Sequence, residues 1–229
     1  CNVIREKIAK KYNLEEFELS QNYIAFYDKL EKCNYLLESI ISLKDKEKDD
    51  RTLDNLLTVG IQDGGQWDLF VNIVNKYGLV PKNAFPETFQ SSNTAGIDNL
   101  LNKYIRKFAF EIRNSDEDVN SKKEMFMDNI YKILCSCFGV PPKTFSFEYV
   151  DKDKKYNIIK DLTPMSFYKD IVQMDLNEYV SIINSPTDDK PFNKAYTVDY
   201  IGNVIEGNEI LYLNLEINRL KELTISQLK

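Results

Sequence analysis

Asp63-Gly64-Gly65-Gln66-Trp67-Asp68 is the segment best suited to meet another molecule. Two consecutive glycines let one backbone approach another closely and leave amide and carbonyl groups uncovered. An extended peptide can pair with such an edge through main-chain hydrogen bonds that ignore its side chains. Trp67, the only tryptophan, stands beside that edge and could wall an apolar pocket. A tight turn followed by a core tryptophan explains the same residues. Spacing alone favours that plainer reading, because an isolated Gly-Gly is a weak signal.

Other chemistry is harder to build. The chain has no histidine, so it cannot by itself form a Cys-His or Ser-His pair or an imidazole proton shuttle. Its four cysteines are Cys1, Cys33, Cys135 and Cys137. Cys135 and Cys137 lie two apart in a helical pattern and point to different sides, so they cannot pair comfortably. With no histidine and no second Cys-x-x-Cys, no zinc site is expected, and no metal or cofactor is implied. Asp151-Lys152-Asp153 opens like a calcium loop, but Tyr156 stands where glycine is needed and Leu162 where glutamate is needed. Glu15, Glu16 and Glu18 read as a solvated face rather than an acid/base pair. Gly64-Gly65 has neither the spacing nor the lysine of a phosphate loop. Cys1 runs straight into helix without a cap or a histidine partner, so it is not expected to be a nucleophile.

Composition narrows the class. The 229 residues are 43% hydrophobic and 29% charged, an ordinary globular mixture long enough to bury a core. Thirty basic against 36 acidic residues leave a net charge of −6, which argues against nucleic acid or an anionic membrane as partner. No apolar run approaches the roughly 20 residues of a membrane span. The absence of Asn-x-Ser/Thr and the sparse cysteines fit reduced thiols in the cytoplasm. The sequence lacks an initiator Met and both ends fall inside helical patterns, which reads as a piece of something longer.

The elements that must position the double glycine follow from periodicity. Residues 3–11 read as the tail of an amphipathic helix. A second helix follows Ser20 as N-cap, with Tyr23, Phe26, Tyr27 and Leu30 on one stripe. Lys44 to Arg51 is a charged connector, and Leu53, Leu56 and Leu57 mark a short helix. Trp67, Phe70, Val71 and Val74 give the helix after the glycines, stopped by Gly78. Ile97 to Phe108 and Phe126 to Cys137 give two more, the latter ended by Gly139. Phe145, Phe147 and Tyr149 then alternate as a strand, Asp151 to Lys155 turns, and Thr163-Pro164 starts a short helix. Tyr179 to Ile183, Tyr196 to Tyr200 and Ile210 to Leu215 look strand-like, and Ile217, Leu220 and Leu228 mark a last helix. The pattern is α+β, helical in front and mixed behind a change near residue 142.

Several of these segments together resemble one family. Glu18-Leu19-Ser20-Gln21-Asn22-Tyr23, Asp28-Lys29-Leu30-Glu31-Lys32, the Asp63–Asp68 segment and Lys76-Tyr77-Gly78-Leu79-Val80-Pro81-Lys82 resemble the bleomycin hydrolase family, whose bacterial members are called aminopeptidase C. Phe147-Glu148-Tyr149-Val150, Thr163-Pro164-Met165-Ser166-Phe167-Tyr168, Tyr196-Thr197-Val198 and Asn203-Val204-Ile205-Glu206-Gly207 extend the resemblance along the chain. It implies a papain-like cysteine peptidase fold. Residues 1–92 would form the helical lobe, 93–142 a helical insertion, and 143–229 a mixed part leading into the barrel lobe. It also implies a cytoplasmic thiol aminopeptidase that takes peptide substrates and assembles as a homohexamer. The resemblance reverses the plainer reading of the glycine turn. It implies that Gly65 pairs with the substrate backbone, that Gly64 shapes the turn, and that Gln66 and Trp67 lie near the pocket rim.

The same resemblance places the catalytic groups elsewhere. Asn2-Val3-Ile4-Arg5 is similar to the stretch that follows the family's nucleophile, so that cysteine and the oxyanion glutamine belong before residue 1. The histidine and asparagine belong beyond Lys229. No catalytic residue is therefore expected within the chain, which should be inactive alone. A non-catalytic peptide-binding or oligomerisation module derived from the same family is the alternative.

Overall fold

The structure, a computed structural model, describes residues 2–47, 49–114 and 118–227. Among them, α1 (Asn2–Lys11) precedes the long α2 (Gln21–Ser42). Ser20 caps α2 by accepting from the Tyr23 amide at 3.0 Å. α3 (Arg51–Val59) begins at Arg51, the residue expected to end the connector. Asp50 supplies the reason, since its carboxylate accepts from the amides of Thr52 and Leu53. α4 (Trp67–Tyr77), α5 (Ala95–Arg113) and α6 (Val119–Phe138) complete the helical part.

One core lies inside that part. Phe26, Leu37 and Ile40 of α2 meet Leu101, Ile105 and Phe108 of α5 and Phe126, Ile130 and Leu134 of α6. A second core joins distant stretches. Ile4 and Ile8 of α1, then Leu14, Phe17 and Leu19, pack with Val71 and Val74 of α4 and with Phe147, Phe167 and Val172.

The mixed part opens with the antiparallel pair β1 (Phe145–Val150) and β2 (Tyr156–Leu162), closed by a turn in which the Lys155 amide donates to the Asp151 carboxylate at 2.9 Å. Thr163 and Ser166 form a reciprocal capping box around Pro164 and start α7 (Pro164–Ser166). The helix widens into a π-helical turn, Phe167–Val172. β3 (Ser181–Ile183), β4 (Lys194–Tyr196) and β5 (Tyr212–Asn214) make a second sheet with β5 central, parallel to β3 and antiparallel to β4. α8 (Ile217–Gln227) follows, and Leu228 lies outside the described residues.

These three strands are shorter than the sequence pattern predicts, and the stretch from Tyr196 to Tyr200 is mostly not strand. Tyr200 adopts a φ of 61°, and Gly202 sits against the Tyr35 ring, so the chain bends away from the sheet. Leu176–Glu178 form a 3-10 turn capped by Asp175, and β3 starts only at Ser181, after the expected Tyr179. The buried Asn214 organises the β3–β4 connection: its amide donates to the carbonyls of Ser185 and Lys190 and its oxygen accepts from the Ser185 amide.

Gly78 decides how α4 meets α7. Its φ is 75°, and a Cβ there would lie 2.3 Å from the backbone of Pro164. That approach lets the Leu79 amide reach the Pro164 carbonyl at 3.0 Å. Gly64 has a similar φ of 74° but open space around it. Gly78→Ala is therefore expected to lose about 3 kcal/mol in urea unfolding, combining backbone strain with a clash, and Gly64→Ala only about 1 kcal/mol from strain. Equal losses would show that the contact with Pro164 contributes nothing.

Candidate functional site

Gly64 and Gly65 form an exposed ledge just before α4. Among the described residues neither amide donates a hydrogen bond. The Gly64 carbonyl accepts from Lys32 Nζ at 2.6 Å. Gln66 is extended at the N-cap of α4 and its side chain makes no capping bond. A groove runs along each side of the ledge, and Gly64, Gly65 and Gln66 line both. The larger, about 1040 Å³, lies between α2, α3 and residues 198–202. The smaller, about 670 Å³, is bordered by Asn22, Ala25, Phe70, Glu87 and Thr94.

Trp67 lines neither groove. Its indole N–H donates to the Leu176 carbonyl at 3.3 Å, and its ring packs 5.6 Å from Phe70 and 5.4 Å from Tyr179. The tryptophan thus fastens the start of α4 to the mixed part of the chain.

Charge holds the ledge from beneath. Lys29 of α2 is 2% exposed, and its ammonium binds Asp63 of the loop and Asp98 of α5. Thr94 donates a hydroxyl to the other Asp63 oxygen. Burial pushes Asp63 upward, but the hydrogen bonds from Lys29 and Thr94 outweigh it and hold the carboxyl below its ordinary value. Asp98 is held above its ordinary value by burial, which the Lys29 bond offsets only in part. One turn along α2, Lys32 donates to the carbonyls of Gln62 and Gly64 and pairs with Asp28 at 2.6 Å. The fully buried Asn203 reaches Asp28 at 3.2 Å and the Leu69 carbonyl at 3.0 Å.

Lys29, Lys32, Asp98 and Asn203 were not singled out by the sequence reading. One signal was present: Lys29 falls on the buried face of α2 with Phe26, Cys33, Leu36 and Ile40. A lysine on an apolar stripe needs an internal partner.

Thiol chemistry is weak here. Cys33 is buried and its thiol is pushed up to about 12 by burial, and burial also raises Cys137. Cys1 lies outside the described residues. Among the described residues, no group of three or more potential ligands could hold a metal ion, and no helix is long and apolar enough to cross a membrane.

Comparison with known proteins places this geometry. The Peptidase C1-like family matches residues 1–229. Aminopeptidase C of Lactobacillus delbrueckii subsp. lactis is 44% identical over 234 residues, covering 100% of this chain and 52% of the relative. Bleomycin hydrolase of Mus musculus is 39% identical over 238 residues, again with 52% of the relative covered. The crystal structure of PepW from Lactobacillus rhamnosis HN001 superposes with a TM-score of 0.96 at 43% identity, covering 99% of this chain and 52% of that one. The chain therefore spans about half the length of these relatives, and its α+β fold is theirs.

The two carboxylates on Lys29 have opposite linkage to pH. Asp63, held low, stabilises the fold above the ordinary carboxylate value, and that contribution is lost as pH falls through its native pKa. Asp98, held high, stabilises the fold below the ordinary value, and that contribution is lost as pH rises through its native pKa. Asp98→Asn removes the second contribution, along with one of the two carboxylates on Lys29, which lowers stability at every pH. Its urea midpoint is expected to fall more steeply than the parent's as pH is lowered from about 6 to about 4. Parallel curves would show that Asp98 does not titrate in this range.

Proposed function

We propose, given that this chain belongs to the Peptidase C1-like family, that it is the substrate-binding portion of a cysteine aminopeptidase of the aminopeptidase C and bleomycin hydrolase type. The observation that carries the reading is the exposed double-glycine ledge, whose amides have no internal partner among the described residues and whose two sides open into grooves. An extended peptide laid along it pairs main chain to main chain with Gly65. Its side chains then fall alternately into the grooves on either side. Gly64 shapes the bend and Gln66 offers a free amide at the rim. Trp67 serves the site by anchoring α4, not by touching the peptide.

The cutting chemistry needs a thiolate, a base and an oxyanion donor. A buried thiol raised to about 12, at Cys33, cannot act as the nucleophile near neutral pH. With no histidine to act as base, the chain by itself positions peptides without hydrolysing them. The three described free cysteines, Cys33, Cys135 and Cys137, fit a reducing cytoplasm.

Titration with a fluorescently labelled short peptide tests the binding. Saturable binding is expected, weakened about tenfold or more in Gly65→Val, whose Cβ would meet the Leu69 side chain at 2.4 Å and displace the ledge. No binding, or equal binding by the variant, sinks the reading. No release of fluorophore from an aminoacyl amide substrate is expected from the isolated chain. Thiol-dependent turnover abolished by Cys1→Ala would overturn the assignment of the nucleophile to a segment outside it.

The second reading, an assembly role, has its own observation. Leu100 and Phe110 of α5 and Met125 and Tyr131 of α6 are exposed on the helical part. A homohexamer would cover such side chains at its subunit contacts. Light scattering should then give a mass well above that of one chain, and a monomer at micromolar concentration would remove this reading.

A further inference from the structure

We propose that Lys32 is the positioning residue that aims the ledge. The inference rests on the reading of the ledge as a peptide-binding edge. A trans peptide group is planar, with its C=O and N–H directed to opposite sides. The peptide group joining Gly64 to Gly65 presents the Gly64 carbonyl on one side and the Gly65 amide on the other. Lys32 Nζ holds that carbonyl at 2.6 Å. No peptide bond in the described residues is cis. Fixing the carbonyl toward α2 therefore turns the Gly65 N–H away from α2, where it has no internal partner.

Glycine makes such a device necessary. A Cβ on Gly64 would meet nothing within 4 Å, so no packing on that side fixes the bend and the Lys32 bond is what holds the Gly64 carbonyl. Lys32 also does more than hold a single oxygen. It takes the Gln62 carbonyl at 3.0 Å, so the carbonyls on both sides of Asp63 converge on one ammonium. The ammonium further polarises the peptide group it binds, which makes the opposite N–H a stronger donor to an incoming carbonyl.

Lys32 is itself held. Asp28, one turn earlier on α2, binds its Nζ at 2.6 Å, and the fully buried Asn203 donates to the second Asp28 oxygen at 3.2 Å. The same Asn203 amide binds the Leu69 carbonyl inside α4. The ledge, the helix it opens and the segment around residue 203 thus share one polar chain. The orientation of the Gly65 amide is set from the α2 side, by Lys32 and the residues that hold it.

The test compares Lys32→Met, which keeps the aliphatic stem and removes the ammonium, with Lys32→Arg, which keeps the charge. Amide nuclear magnetic resonance reads the Gly65 N–H directly, and labelled-peptide titration reads affinity. Lys32→Met should shift or split the Gly65 amide resonance and weaken peptide binding about tenfold, as expected for loss of one charge-assisted contact. Trp67 emission, which reports on the start of α4, should stay at the parent value. Lys32→Arg should restore most of the affinity. An unmoved Gly65 resonance in Lys32→Met overturns the proposal. So does an affinity loss accompanied by changed Trp67 emission that arginine does not rescue, since that is damage to the fold. A shifted resonance in a chain whose parent binds no peptide upholds the positioning role and overturns the peptide-binding reading instead.

Discussion

One buried ammonium constrains the functional side of this molecule. Lys29 is enclosed within the helical part, where a lone positive charge costs several kcal/mol to desolvate. Two carboxylates from different elements, Asp63 and Asp98, meet it there. An apolar residue of similar size would stabilise the packing about as well. What the charge adds is direction: the stem of the glycine loop and the first turn of α5 must arrive at one point. The loop has few apolar contacts of its own, so its path is set by this ion cluster and by the ammonium of Lys32 one turn along the same helix.

The arrangement separates two tasks that a binding edge must combine. Edge backbone has to be bare to accept a partner, and bare glycine backbone is the most mobile kind. Here rigidity comes from below, through carbonyls held by Lys32 and a carboxylate held by Lys29 and Thr94, and the upper side stays open. Trp67 adds a third support by tying the N-terminal turn of α4 to Leu176 and Tyr179. The result is a backbone edge that is held firmly and left uncovered.

Much of this was legible in the sequence, and the exceptions have physical causes. The helices announced themselves because burial on one face imposes a 3.6-residue period, and Ser20, Gly78 and Gly139 marked ends that the structure keeps. The double glycine was visible as a motif, and the family could be recognised from the ordered segments around it. The strands after residue 175 were overdrawn because apolar content there also serves contacts outside the sheet, as Tyr179 does against Trp67, while the side chain of Asn214 bonds the loop that follows β3. The supports of the ledge were hidden for another reason. Lys29, Asp63 and Asp98 lie far apart in sequence; Lys29 stands out on the apolar stripe of α2, but nothing in the pattern names Asp63 and Asp98 as its partners until the fold brings them together. Trp67 shows the same limit, since its neighbour in sequence is the ledge but its neighbours in space are Phe70 and Tyr179.

The division of the interior into two cores bears on how the chain is made. The buried residues of the first core all lie between Tyr23 and Phe138, with Phe145 packing at its edge, so most of it can close as soon as that stretch has left the ribosome. The second needs α1 together with Phe147, Phe167 and Leu176. At roughly 5–20 residues per second of synthesis, Ile4 and Ile8 wait on the order of ten seconds for partners that are not yet translated. During that interval the apolar stripe of α1 stays uncovered on the side that Phe147 and Phe167 later close, beside an already finished helical body.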